Sequence, residues 1–216
     1  MRRQASGLTI DQARGWYPAV DAVHGFGHIQ RVHALCRYIG GREGADMEVL
    51  LAAALLHDAQ GSHPAEGSRK GHHIQSAEFA GEVLLELGWP TDNIGSVQHC
   101  IRAHRFRGSE KPSTIEAKVL FDADKLDVIG VVGVVRSLAY AFQAGQPSFA
   151  EPSPSFIETG IKEPGEPHSA YHEYLFKLKG ISGVLLTETA REIAVERQAF
   201  LDAFFEELAL EMRGNP

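Results

Sequence analysis

The chain reads as an all-α protein, a helical bundle, and three observations predict that class. Apolar residues recur at spacings of three and four through most of the 216 residues. Gly, Pro and short polar residues fall between those runs, where helices start and stop. Strand signals are nearly absent, because the Val-rich stretch around 128–135 continues a helical pattern.

Each element follows in order. Thr9 or Asp11 can cap a short first helix before Pro18. From Gly27, Ile29, Val32, Leu35, Cys36 and Ile39 mark a helix expected to stop at Gly40–Gly41. Asp46 is an N-cap for a helix over Met47 to about Ala59, apolar on nearly all sides and therefore central. Residues 60–71 are turn-rich and charged, a surface loop. A helix is expected from about His73 to Leu87 before Gly88. Another starts at PTDN and reaches His104. Ser113 or Thr114 caps one carrying IEAKVLFDADKLDVIG, and a Gly/Val-rich helix covers about 131–143. Residues 144–168 are rich in Pro and Gly with few periodic apolar positions, so they read as a lid or a long loop. Amphipathic helices are expected over about 169–179 and 184–212. No repeat or composition break divides the chain, so a single domain over 1–216 is expected.

Composition bounds the function. Hydrophobic residues are 44% and charged residues 23%, with a formal net charge of −7, ordinary for a globular domain. The acidic balance argues against nucleic-acid polymers and membrane surfaces as partners, though not against an anionic small molecule. Cys36 and Cys100 cannot build a disulfide framework and read as core thiols in a reducing cytoplasm. The N-terminal MRRQASGLTI lacks the apolar core of a signal peptide. No apolar run reaches the roughly 18 residues that a span requires.

The chemistry lies in a scatter of side chains at the edges of apolar runs: His28 in HIQRV, the neighbours His57 and Asp58 in LLHDA, and Asp124 in DADKLD. Two imidazoles and two carboxylates are costly near a core without a cation or partner. His57 and Asp58 diverge by about 100° on a helix, so both reach one ion only near a helix end. A further ligand must then come from another helix, with His28 and Asp124 as candidates. A mixed imidazole and carboxylate set suits Mn, Fe, Co, Ni or Zn better than Mg or Ca.

The order of these motifs resembles the HD-domain metal-dependent phosphohydrolases, and more narrowly the YpgQ/YedJ-like bacterial group. That group carries HDxxHxxRV, here His24-Gly-Phe-Gly-His28-Ile-Gln-Arg31-Val32. It also carries a DADRLDAIGAIGIAR-type run, here Asp122-Ala-Asp-Lys-Leu-Asp127 onward to Arg136. The resemblance covers about 20–145 and extends weakly to HEYLFKL at 172–178. Gly25 departs from it, standing where the group usually has Asp.

The resemblance implies an HD-domain bundle with a metal site between core helices, and His28, His57, Asp58 and Asp124 as ligands. His72, His73, His99 and His104 are implied as ligands of a second ion or contacts to phosphate. Asp127, three residues from Asp124, is expected beside the site with a catalytic role shared with Asp58. Asp122 reads as a surface or supporting group, and His33, His63, His168 and His172 as structural or surface residues. Arg31, Arg69, Lys70, Arg105 and Lys125 flank the motifs and are expected to bind substrate phosphate. The implied cofactor is one or two divalent transition-metal ions. The implied substrate is a nucleotide, cleaved from triphosphate to monophosphate plus pyrophosphate or hydrolysed as a phosphomonoester. Two other readings stay open: a non-catalytic nucleotide or metal sensor, and a di-iron oxygenase. A homodimer through the long C-terminal helix also stays open.

Overall fold

A computed structural model describes residues 8–17, 25–60, 71–105 and 108–215. Among them there are helices and no strands, as the periodicity requires. No single described helix is long and apolar enough to cross a membrane. The chain divides into two units, Met1–Asp124 with Leu186–Ala190, and Lys125–Leu185 with Arg191–Pro216. No composition break marks that division.

The first unit begins with α1 (Ile10–Arg14), where Thr9 and Gln12 form a capping box. Helix α2 (Phe26–Glu43) starts at Gly25, which offers no side-chain cap. It buries Ile29, Val32, Cys36 and Ile39 along one stripe. The expected stop at Gly40–Gly41 is not where it ends. Gly40 stays helical and lies so close to the Leu50 side chain that a Cβ there would collide with it. The chain turns at Gly44, left-handed with φ 72°. Gly40 therefore serves close packing, and Gly44 serves the turn.

Helix α3 (Met47–Leu56) is N-capped by Asp46, whose carboxylate accepts from the amides of Glu48 and Val49. It is buried on nearly every side and packs against α1, α2, α4 and α5. It ends three residues sooner than expected. The Ser76 hydroxyl donates to the Gln60 carbonyl and accepts from the Gln60 amide, both at 3.1 Å. Residues 57–60 are thereby held in a turn. Helices α4 (His72–Glu86) and α5 (Thr91–Ala103) pack on each other. Most of the expected loop at 60–71 lies outside the described residues.

Helix α6 (Ile115–Leu126) follows Thr114, whose hydroxyl accepts from the Ala117 amide. Its Asp122 is fully buried, so of the two expected places, surface or supporting group, the surface is excluded. The carboxylate accepts from the amides of Leu186 and Thr187 and from the Thr187 hydroxyl, at 2.7–2.9 Å. Glu43 likewise accepts from the Thr189 amide at 2.8 Å. These bonds fix 186–190 within the first unit.

In the second unit, α6 gives way to α7 (Gly130–Gln143) instead of running on to Gly130. Arg197 donates to the Leu126 carbonyl at 2.7 Å and Arg136 to the Asp127 carbonyl at 3.4 Å. Guanidinium groups thus satisfy the carbonyls a helix end leaves open. Residues 144–168 contain a short helix, α8 (Pro154–Thr159), capped by Ser153. Half-buried Glu166 ties them together, accepting from the Ser153 amide and hydroxyl and the Glu163 amide. Its Oε1 is also 3.0 Å from His172 Nε2. Helix α9 (Ala170–Phe176) leads through a 3-10 turn, Leu178–Val184, to α10 (Glu188–Met212). The core of this unit includes Tyr174 stacked on Phe205, with ring centroids 4.6 Å apart.

Candidate metal centre

The site assembles from helix ends in the first unit. His57 is the C-cap of α3 and His104 the C-cap of α5. Each imidazole Nδ1 lies against a carbonyl three residues back: Ala54 at 2.9 Å for His57, Ile101 at 2.6 Å for His104. A carbonyl in the last turn has no amide partner in its own helix, so the ring N–H donates to it. That bond fixes the tautomer and leaves Nε2 as a lone pair turned into the site.

His28 sits in the first turn of α2 and meets His57 with the two Nε2 atoms 3.3 Å apart. On its other side, His28 Nε2 is 3.4 Å from Asp124 Oδ1. Asp58 Oδ1 is 3.4 Å from His72 Nε2 and 3.7 Å from His104 Nε2. Two triplets result, His28–His57–Asp58 and Asp58–His72–His104, each with donor atoms all within 4.8 Å of one another. Asp58 belongs to both. Asp124 joins through His28 and lies in neither triplet.

The spacings of 3.3 Å for His28–His57 and 3.4 Å for His28–Asp124 and Asp58–His72 fit ligation. Two donors held about 2.0–2.1 Å from one ion stand roughly 3.0–3.4 Å apart for angles between square and tetrahedral. The protonation states fit as well. Burial lowers the pKa of His57, keeping it neutral. Burial alone would raise Asp58, but the surrounding His57, His104, His72 and His28 hold it well below the usual carboxylate range. A neutral imidazole beside an ionised carboxylate is what a divalent cation binds.

Other expected site residues lie elsewhere or around the rim. His73 is buried beside His72, with ring centroids 5.6 Å apart and Nδ1 without a hydrogen-bond partner. It enters neither triplet. His99 also stays out of both, since its ring nitrogens face Glu110 and Ser113. Five residues before His104, it points about 140° away around α5. Arg31 lies one turn along α2 from His28, and Arg105 follows His104; both are half-buried. Arg69 and Lys70, with His63, fall outside the described residues. Lys125 is half-buried and opens the second unit.

Asp127 is the residue expected to share a catalytic role with Asp58. It too belongs to the second unit, where its buried carboxylate pairs with Arg136 across the α6–α7 turn. Helix α6 ends at Leu126, so Asp127 stands just beyond it. The sequence reading missed Tyr17. Its hydroxyl donates to the Leu55 carbonyl at 2.8 Å, and burial with the charge of Asp58 raises its pKa. No motif marks that residue. The sequence reading missed Ser76 as well, which holds the turn after α3 through Gln60.

Comparison with known proteins gives the family. The HD domain family model matches residues 25–129. The YpgQ protein of Bacillus subtilis is 30% identical over 212 residues, covering 94% of each chain. The crystal structure of that YpgQ in complex with ADP superposes with a TM-score of 0.70 at 29% identity, covering 95% of this chain and 99% of that one. A predicted HD superfamily hydrolase from an uncultured Thermotogales bacterium gives a TM-score of 0.63 at 26% identity, covering 94% and 90%. With buried imidazoles and carboxylates gathered at the ends of its HD-motif helices, the chain belongs to the HD-domain family.

Proposed function

We propose that this protein is a metal-dependent phosphohydrolase acting on nucleotides. The observation that carries the reading is Asp58, shared by two triplets of buried donors. His28, His57, Asp58 and Asp124 would hold one ion, and Asp58, His72 and His104 a second. Mn, Fe, Co, Ni or Zn fits this donor set. Such ions, when bound, polarise a phosphoryl oxygen and lower the pKa of water.

The chain's own residues supply the rest. The carbonyls of Ala54 and Ile101 hold the His57 and His104 rings in one orientation. Asp58, kept ionised, would serve as a charged ligand, because a carboxylate held this low is a weak proton acceptor for the attacking water. Arg31 and Arg105 supply positive charge for phosphate oxygens, and His73 offers an unused buried Nδ1. The ADP complex of a relative supports a nucleotide as the ligand class. Within that class, cleavage of a triphosphate to monophosphate and pyrophosphate is the leading reaction, and phosphomonoester hydrolysis the second.

The shared carboxylate also favours a second reading, an oxygenase with two irons. One experiment separates them: metal content of the purified protein, with a nucleotide panel assayed for phosphate and pyrophosphate in added Mn. Pyrophosphate release without oxygen consumption supports the hydrolase. Two irons with an oxygen-dependent product supports the oxygenase. Tight nucleotide binding without turnover would make the protein a sensor.

A further inference from the structure

A separate set of reactive side chains lies in the first unit, on the other side of α5 from His104. His99 Nδ1 is 2.5 Å from Glu110 Oε1, and His99 Nε2 is 2.9 Å from the Ser113 hydroxyl oxygen. The Ser113 backbone N–H also donates to Nε2, at 3.3 Å. A ring nitrogen that accepts from an amide carries a lone pair, so the imidazole proton sits on Nδ1 and faces Glu110. Glu110 is held in turn by Arg102, whose Nε donates to Oε2 at 2.7 Å. Burial would raise the Glu110 pKa, but Arg102 and His99 lower it overall, so it remains a carboxylate.

Hydroxyl, imidazole and carboxylate therefore stand in the order of nucleophile, general base and orienting group. Ser113 is exposed, while His99 and Glu110 are half-buried. Helix α6 begins just beyond Ser113, and its first amides, at Ile115 and Glu116, have no carbonyl partner within the helix. Backbone donors beside a nucleophile are the groups that stabilise a developing oxyanion.

We infer that Ser113, His99 and Glu110 form a reactive-serine centre for small activated acyl esters, independent of the metal cluster. Ser113 Oγ bonds to the acyl carbon while its proton passes to His99 Nε2. The ester C–O bond breaks, and the leaving alcohol takes that proton. Water then attacks the acyl carbon and gives a proton to Nε2. The bond to Oγ breaks, Oγ recovers the proton, and the free acid departs.

The test is 4-nitrophenyl acetate with the metal-loaded protein, repeated with a chelator, following nitrophenolate release and acetylation by peptide mass. One acetyl group on Ser113, formed at the same rate with and without chelator, is expected. Ser113→Ala should lose it, and His99→Gln should slow it roughly 10²–10⁴-fold. Glu110 acts through His99 as a positioning residue. Glu110→Gln should slow acetylation and Glu110→Asp recover most of the rate, compared where circular dichroism shows all variants folded. No acetyl on Ser113, an unchanged rate in Ser113→Ala or His99→Gln, or a rate abolished by chelator overturns the inference. The trio would then be a clasp holding residues 108–114 to α5.

Discussion

His72 Nε2 stands 3.4 Å from Asp58 Oδ1, although Asp58 lies in the turn after α3 and His72 opens α4, fourteen residues later in sequence. Asp58 faces the His28–His57 pair through the same short side chain. If two ions share it, His72→Ala and His104→Ala should each lower metal stoichiometry by one ion without emptying the first position. Elemental analysis checks this, and full stoichiometry in both variants would remove the second position.

His57→Ala and Asp58→Ala should go further, losing both bound metal and phosphohydrolase activity while the helical circular dichroism persists. His57 is fully buried and its ring closes the last turn of α3, so some loss of thermal stability is expected alongside. Unchanged metal content in both variants would refute the ligand assignment.

Gly25 caps α2 without a side-chain hydrogen bond. Asp at an N-cap exceeds Gly by a few tenths of a kcal/mol, and an acidic group at a helix N-terminus adds about 0.3–1 kcal/mol. Gly25→Asp should therefore raise the thermal midpoint slightly. Comparing metal affinity in the same variant tells whether the departure from the family motif also tunes the centre.

Glu166 carries a pH signature. Burial would raise its pKa, but the Ser153 amide, His172, the Ser153 hydroxyl and the Glu163 amide lower it to about 2. A folded value below the unfolded one stabilises at pH above about 4.5, and that stability fades as pH falls towards about 2. Thermal midpoints of the native protein and Glu166→Gln should converge across that window. A gap that stays constant from pH 7 to pH 3 would contradict the assignment.

Asp122 accepts three hydrogen bonds while fully buried. Asp122→Ala leaves those donors unsatisfied and should cost about 3 kcal/mol, read by chemical denaturation. A loss below about 1 kcal/mol would mean that 186–190 is held by packing alone.

Much of the architecture was legible because helix formation is local. The periodicity of Ile29, Val32, Cys36 and Ile39, the Asp46 cap and the Gly88 stop depend on neighbours in sequence. Boundaries failed where distant groups intervened. Leu50 explains Gly40 inside a helix, Ser76 the turn after Asp58, and the Arg136 and Arg197 guanidiniums the end of α6. Residues 144–168 form a long loop as the sequence suggests, apart from α8, but its ties to Glu166 have no periodicity to betray them.

The sequence by itself determined the helical class, the HD family and the inventory of imidazoles and carboxylates, because residue type and spacing carry that information. Only tertiary structure decided how the inventory is shared out. Asp58 turns to both His28–His57 and His72–His104, Asp127 goes to Arg136, and His99 goes to Glu110 and Ser113. Helix ends made part of those choices: terminal carbonyls orient the His57 and His104 rings, and α6 ends at Leu126, one residue before Asp127.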